Sequence, residues 1–474
     1  MTVEIVAFAL MVISIVLIIG KWIRLRVPVF QRLFLPSSLL GGFFALLLGP
    51  EVIGRIITPV TGEEVMPYGI FTEGIYEVWA ELPGLLINVV FASLFIGFAL
   101  PRLQEIWKVG GPQVALGYTI SWAQYAVGMA IVLIILTPLF GTNPAAGALI
   151  EISFVGGHGT AAGLSDTFES LGFPEGYDLA VGLATVGILS GVVIGIVMLN
   201  IAARKGKSET LQHPDDISVD QQTGILDQDR REPAGQMTTS TVSIEPLALH
   251  IGLVGLSIFI GYWILEALVW VEEVLWLDTG VEIIAHVPLF PFAMIGGIIV
   301  QVFMSRYDKN DIVDRQIVSR IQNTALDLLI VSALATLSLQ VIGDNLWEFI
   351  ILAVVGVVLN VIMFIYLAPR MIPHFWFERG IGDFGQSMGV AATGIMLMKI
   401  VDPEQKTPAM KAFGYKQIFF EPMVGGGLVT AAAMPLIINF GAVPFLIATT
   451  LLTVAFWLLG VLYFGKNKQN ERRE

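Results

Sequence analysis

Apolar residues in this chain do not alternate with polar ones but gather into runs of about 16 to 27, close to the ~20 residues an α-helix needs to cross ~30 Å of hydrocarbon. Eleven such runs predict membrane-spanning helices at 3–20, 33–48, 82–100, 114–140, 177–202, 246–271, 285–304, 324–341, 349–372, 418–438 and 443–463. Two more segments, 144–164 and 380–400, are apolar but rich in glycine and interrupted in the middle. The short alternating segments of a membrane β-barrel are absent from the sequence.

Charge decides how the two interrupted segments are read. If each is a re-entrant hairpin that returns to the side it entered, then of the 26 Lys and Arg residues only Arg55 lies outside. If both crossed, the bases of the linker, those after Met304, and Arg370 and Arg379 would move outside, against the positive-inside rule. Hairpins are therefore expected, with the N-terminus outside and the C-terminus cytoplasmic. The first run has no base before it, Glu4 at its start and Lys21, Arg24, Arg26 and Arg32 after it, the order of an uncleaved helix rather than a signal peptide.

Five spans precede the polar stretch 204–245, so the second half enters the membrane in the opposite sense. A weak internal match, Pro36-x4-Gly41-Gly42 against Pro291-x4-Gly296-Gly297, falls in the second span of each half. The expected fold is all-α and polytopic: one repeat over 1–203 with hairpin 144–164, and an inverted five-helix repeat over 246–440 with hairpin 380–400. Residues 204–245 form a flexible cytoplasmic tether, and 441–474 an extra transmembrane helix with a basic tail.

Composition agrees with a bilayer: 55% of the 474 residues are hydrophobic and 14% charged. The net charge of −13 adds little, because acids concentrate in outer loops and the linker. The absence of cysteine excludes disulfides, thiolate metal sites and cysteine nucleophiles. No phosphate-binding loop, HExxH or Ser/His/Asp pattern occurs, so the chain is not read as an enzyme, and neither an organic cofactor nor a nucleic-acid partner is expected.

Chemistry is expected at the hairpin tips. A helix break frees N–H and C=O groups at membrane depth, where only protein, enclosed water or a ligand satisfies them. The first hairpin contributes Ser153 and Gly156-Gly157-His158-Gly159-Thr160, with Thr160 placed to cap an outgoing half-helix whose amides attract a carboxylate. The second contributes Asp383, Gly385, Gln386, Ser387 and Thr393, with Gly380, Gly382, Gly385 and Gly389 expected to break the backbone. Carbonyls near Gly156 and Gly382, with Asp383, are candidate Na⁺ ligands. His158 reads as a ligand or as a packed neutral ring, and Asp327, in the first turn of its span, as an ion ligand or an interfacial acid. Glu151 reads as a ligand or a water-facing group, and Glu421 as solvated.

At SFVGGHGTAAG, FGQSMGVAATG, PMVGGG (422–427) and LPSSLLGG (35–42) the chain resembles the sodium/glutamate symporter family. The resemblance covers about residues 30 to 440. It implies Na⁺-coupled uptake of L-glutamate across a bacterial inner membrane, elevator-like movement of a transport unit, and a homodimer in the lipid bilayer. Asp383 and Gln386 depart from the smaller residues expected there, and Arg379 and Lys399 are the candidate partners for the glutamate side chain. A di- or tricarboxylate symporter is the alternative within transport. A channel with re-entrant loops fits less well, because two unlike hairpins of opposite sense do not make a symmetric pore.

Overall fold

The computed structural model describes residues 2–57, 66–98, 103–206, 208, 210, 223–231, 233–276, 281–403 and 405–465. Among these the chain is helical throughout, without a strand. In order, the main helices are α1 (Val3–Arg26), α2 (Ser37–Leu48), α3 (Glu73–Ala92), α4 (Leu103–Ile131), α5 (Leu149–Phe154), α6 (Gly157–Gly163) and α7 (Glu175–Arg204). After the polar stretch come α8 (Pro246–Trp276), α9 (Phe290–Tyr307), α10 (Arg315–Ala335), α11 (Leu346–Met371), α12 (Trp376–Val401), α13 (Ala409–Phe420), α14 (Leu428–Phe440) and α15 (Ala442–Leu458).

Local chemistry sets several ends. Thr2 caps α1, with Glu4 in its first turn and Arg24 and Arg26 in its last, each charge placed to favour the helix dipole. Asp314 accepts from the N–H groups of Gln316 and Ile317 at 2.7 and 3.0 Å, starting α10 at Arg315. The expected span at 324–341 therefore begins about two turns earlier, and Asp327 sits in mid-helix rather than in the first turn.

Eleven helices among the described residues are long and apolar enough to cross a membrane, but they are not quite the expected set. The run 418–438 is not one helix. After α13 the chain turns through Glu421–Gly427, where Gly425 and Gly426 adopt φ of 73° and 100°, a left-handed backbone that glycine reaches without Cβ cost. Its place in the count is taken by Trp376–Val401, which has the length of a span yet is broken internally, as described below.

Residues 207, 209, 211–222 and 232 of the stretch 204–245 lie outside the described residues, and several of the others are bonded to the rest of the chain. Lys21 donates to the carbonyls of Thr223 and Gly224 at 3.1 and 3.0 Å, Thr238 to that of Ile312, and Thr210 to that of Val401. The basic tail beyond residue 465 lies outside the described residues.

The chain divides into two compact units, one of 1–100, 162–166 and 219–343, the other of 101–161, 167–218 and 344–474. The first therefore holds α1–α3 and α8–α10. Within it the Pro-x4-Gly-Gly match acquires a packing meaning. A Cβ on Gly20 of α1 would strike the carbonyl of Ser37, and one on Gly41 of α2 would lie 2.9 Å from the carbonyl of Val16. A Cβ on Gly261 of α8 would lie 2.6 Å from the carbonyl of Phe292, and one on Gly296 of α9 would strike that of Ser257. Ser37 and Phe292 each follow the motif proline, and Val16 and Ser257 each stand one turn before the contacted glycine, so both helix pairs use the same atoms in the same order. Gly42 then packs on Leu334 of α10, and Gly297 on Ala92 at the end of α3.

Backbone-to-backbone contact leaves no room for a side chain, and overpacking costs about 1–3 kcal/mol or more. Gly20→Val and Gly261→Val are expected to lower the melting temperature of the detergent-purified protein by similar amounts. Gly252→Val on α8, where a Cβ meets nothing within 4 Å, is expected to leave it unchanged.

Candidate functional site

The second unit contains α4–α5, most of α6, α7 and α11–α15. In α12 the helix runs unbroken through Gly380, Gly382 and Gly385 and fails at Gly389 (φ −164°, ψ 50°) and Val390 (φ 60°, ψ 172°). The chain folds back there. A Cβ on Gly385 would stand 2.7 Å from the Cα of Gly394, and one on Gly382 would stand 2.5 Å from the Met398 sulfur, so the legs lie side by side. Of the four glycines expected to break the backbone, Gly389 does so, whereas Gly382 and Gly385 let two helical legs touch and Gly380 packs on Ala368 and Phe364 of α11. Gly382 is thus inside a leg, and the carbonyls released at the tip belong to Ser387 and its successors. Gln124 Nε2 donates to the Ser387 carbonyl at 2.9 Å, and Thr393 Oγ1 donates to the Gly389 carbonyl.

The first broken segment runs from a 3-10 turn at Pro144–Ala148 through α5 and breaks at Val155–Gly156, and α6 begins at Gly157 with φ of 72°. Each break has a threonine three residues after its left-handed residue: Thr160 after Gly157, Thr393 after Val390. Thr160 is thus inside α6 rather than at its cap, and its hydroxyl has no protein partner. The two tips meet, since a Cβ on Gly157 would strike Cγ1 of Val390. Helix α7 forms the shelf beneath them: Thr185 bonds His158, Gly187 lies against the carbonyl of Met388, and Ile188 against Gly389.

Of the acids considered as ligands, Glu151 is held by protein, and Asp383 is held through one oxygen, Oδ1, while its Oδ2 has no protein partner. Asp383 pairs with Lys416 of α13 at 2.7 Å, both side chains fully buried, and Lys416 also donates to Gln386 Oε1 at 2.8 Å. Its ammonium stands 4.1 Å from the centre of the Phe420 ring. The Gln386 amide donates to Glu421, which is buried rather than solvated. Glu151 faces neither water nor an open site: it accepts from the Tyr125 hydroxyl, from Gly425 N–H at 3.1 Å and from Thr430 Oγ1 at 3.2 Å, tying α5 to the turn before α14. Arg379 is buried, bonded to the Val109 carbonyl and to Gln113, whereas Lys399 is exposed. Asp327 belongs to the first unit, while every other candidate residue lies in the second.

What remains open for a ligand is a set of buried polar atoms without partners: Ser153 Oγ, His158 Nδ1, Thr160 Oγ1, Asp383 Oδ2 and Ser387 Oγ on the broken segments, and Ser121 Oγ, Trp122 Nε1 and Gln124 Oε1 on α4. Thr185 Oγ1 donates its one hydrogen to the Val181 carbonyl, so His158 Nε2, 2.9 Å from that oxygen, must be the donor. The neutral ring then turns a bare Nδ1 acceptor to the interior. Each such unmet group costs about 1–3 kcal/mol until a partner arrives. Ser121, Trp122, Gln124, Asn360 and Lys416 were not singled out from the sequence. The available signal was polar character inside apolar helices, where such residues are costly.

Comparison with known proteins bears on these positions. Residues 71–403 match the family model described as Sodium/glutamate symporter. The protein named Sodium/glutamate symporter from Escherichia coli (strain K12) is 26% identical over 351 residues, covering 72% of this chain and 77% of that protein. The like-named protein of Haemophilus influenzae is 22% identical over 432 residues, 89% of this chain and 94% of its own length.

Losing one partner of a buried ion pair typically costs about 3–5 kcal/mol, whereas replacing both by apolar groups costs far less. Asp383→Leu and Lys416→Met are each expected to destabilise the protein strongly, and the double variant by clearly less than their sum, read from thermal unfolding of the four proteins. Gly157→Ala, which strikes Val390 and also carries a positive φ, is expected to lose stability, and Val390→Gly in the same chain to restore part of it by removing the facing methyls.

Proposed function

Because the chain belongs to the sodium/glutamate symporter family, we propose that it carries L-glutamate with Na⁺ into a bacterial cell across the inner membrane. The family is one of transporters, not enzymes. The observation that carries the reading is the meeting of two broken helices at Gly157 and Val390, beside buried polar atoms that no protein group satisfies. Amides at the start of the leg after Val390 favour a carboxylate, and unpaired hydroxyl and carbonyl oxygens suit Na⁺ or an ammonium group.

In this reading both broken segments are re-entrant. The legs of α12, 376–388 and 391–401, are roughly 20 and 16 Å long at 1.5 Å per residue, too short to cross ~30 Å of hydrocarbon. The matched packing of Gly20 with Gly41 and of Gly261 with Gly296 supports two inverted repeats. Both tips belong to one compact unit, which supports an elevator-like cycle in which that unit carries the site. On this reading the N-terminus lies outside and the C-terminus in the cytoplasm, which the distribution of Lys and Arg supports, and the protein works as a homodimer.

Purified protein in proteoliposomes is expected to accumulate labelled glutamate only when an inward Na⁺ gradient is imposed, with citrate neither transported nor competing. Flux that ignores the gradient would overturn the coupling, and preferred uptake of citrate would overturn the substrate.

A further inference from the structure

Gln124 is fully buried on α4, and the orientation of its amide is fixed by a chain of bonds. The chain starts at a carbonyl that can only accept: Asn360 Nδ2 donates to the Gly356 carbonyl at 2.8 Å. Asn360 must then present its oxygen to Gln124, whose Nε2 donates to it at 2.9 Å. The second hydrogen on that nitrogen goes to the Ser387 carbonyl, also at 2.9 Å and again only an acceptor. Exchanging O and N in either amide would set acceptor against acceptor, so the assignment is forced. Both Gln124 hydrogens are used, and Oε1 is left as a rigid, buried acceptor with no protein donor.

That oxygen belongs to the residue that holds the carbonyl of Ser387, two residues before the break at Gly389–Val390. Ser121, three residues earlier and so on the same face of α4, also has an unpaired hydroxyl, as does Ser387 itself. An acceptor oxygen backed by hydroxyls suits a cationic donor with several hydrogens. A carboxylate would meet a lone pair there.

We propose that Gln124 is a specificity-determining residue whose Oε1 accepts from the α-ammonium group of the substrate, so that the site selects an amino acid over a dicarboxylate of the same length without the amine. The inference rests on the transport reading for its substrate. Its test is therefore read in binding as well as in uptake. A hydrogen bond from a charged donor contributes about 1.5–3 kcal/mol, or roughly 10- to 100-fold in affinity.

The comparison is between glutamate and glutarate, which differ only by the amine, measured as ligand-induced stabilisation of the purified protein in saturating Na⁺ and as competition for labelled glutamate uptake. The wild type is expected to prefer glutamate. Gln124→Leu, which keeps the size and removes the acceptor, is expected to lose roughly 10- to 100-fold in glutamate affinity while glutarate changes little. Equal weakening of both ligands in Gln124→Leu would reduce Gln124 to a structural prop, and a shift confined to the Na⁺ concentration dependence would assign the oxygen to Na⁺. Either result overturns the proposal. Ligand stabilisation without vesicle uptake would count against transport while leaving the binding comparison intact.

Discussion

A backbone group released from a helix inside a bilayer has no water to turn to, and in the second unit this constraint governs most of the polar chemistry. The chain breaks at Val155–Gly156, at Gly389–Val390 and through Glu421–Gly427. At each break, side chains stand in for the missing helical partners. Glu151 takes the N–H of Gly425, Thr430 that of Gly426, Thr393 the carbonyl of Gly389 and Gln124 that of Ser387. Residues that resemble ligands in the sequence are in part replacements for lost backbone bonds. The ligand's share is what they leave unmet.

Charge follows the same logic. A carboxylate as deeply buried as Asp383 needs a cation close by, and the protein supplies one through the buried ammonium of Lys416, with Gln386 joining the pair to Glu421. This accounts for the departure of 383 and 386 from the small residues expected: the two positions belong to a network with α13 that fixes the leg of α12 behind the tip. The tip keeps its neutral hydroxyls for exchangeable partners.

Length and hydropathy made the number and rough position of the apolar helices legible, because spanning a bilayer imposes a length that any run must meet. The interruption of 144–164 and 380–400 was legible too, through glycine. Which glycine does what was not: Gly382 and Gly385 look like breakers until Gly394 and Met398 are seen pressed against them. The turn within 418–438 was hidden because PMVGGG is itself apolar, and hydropathy does not register φ. Lys416 was counted among cytoplasmic bases since nothing local marks a lysine whose partner lies 33 residues away. Gln124 was passed over as one polar residue in a long apolar run, its meaning residing in Asn360 and Ser387.

Helix α15, read from the sequence as an extra span, is more than an appendage. Phe456 stacks on Tyr118 at 4.7 Å and Phe445 meets Tyr125 edge-on, while the Tyr118 hydroxyl donates to the carbonyl of Phe419 and that of Tyr125 to Glu151. The two tyrosines are thus rivets whose heads are set by α15 and whose shanks reach the neighbours of the ion pair and of the first tip. Without this helix both rings would lose an aromatic neighbour on one side, so α15 helps to fix the hydroxyl bonds that reach Phe419 and Glu151.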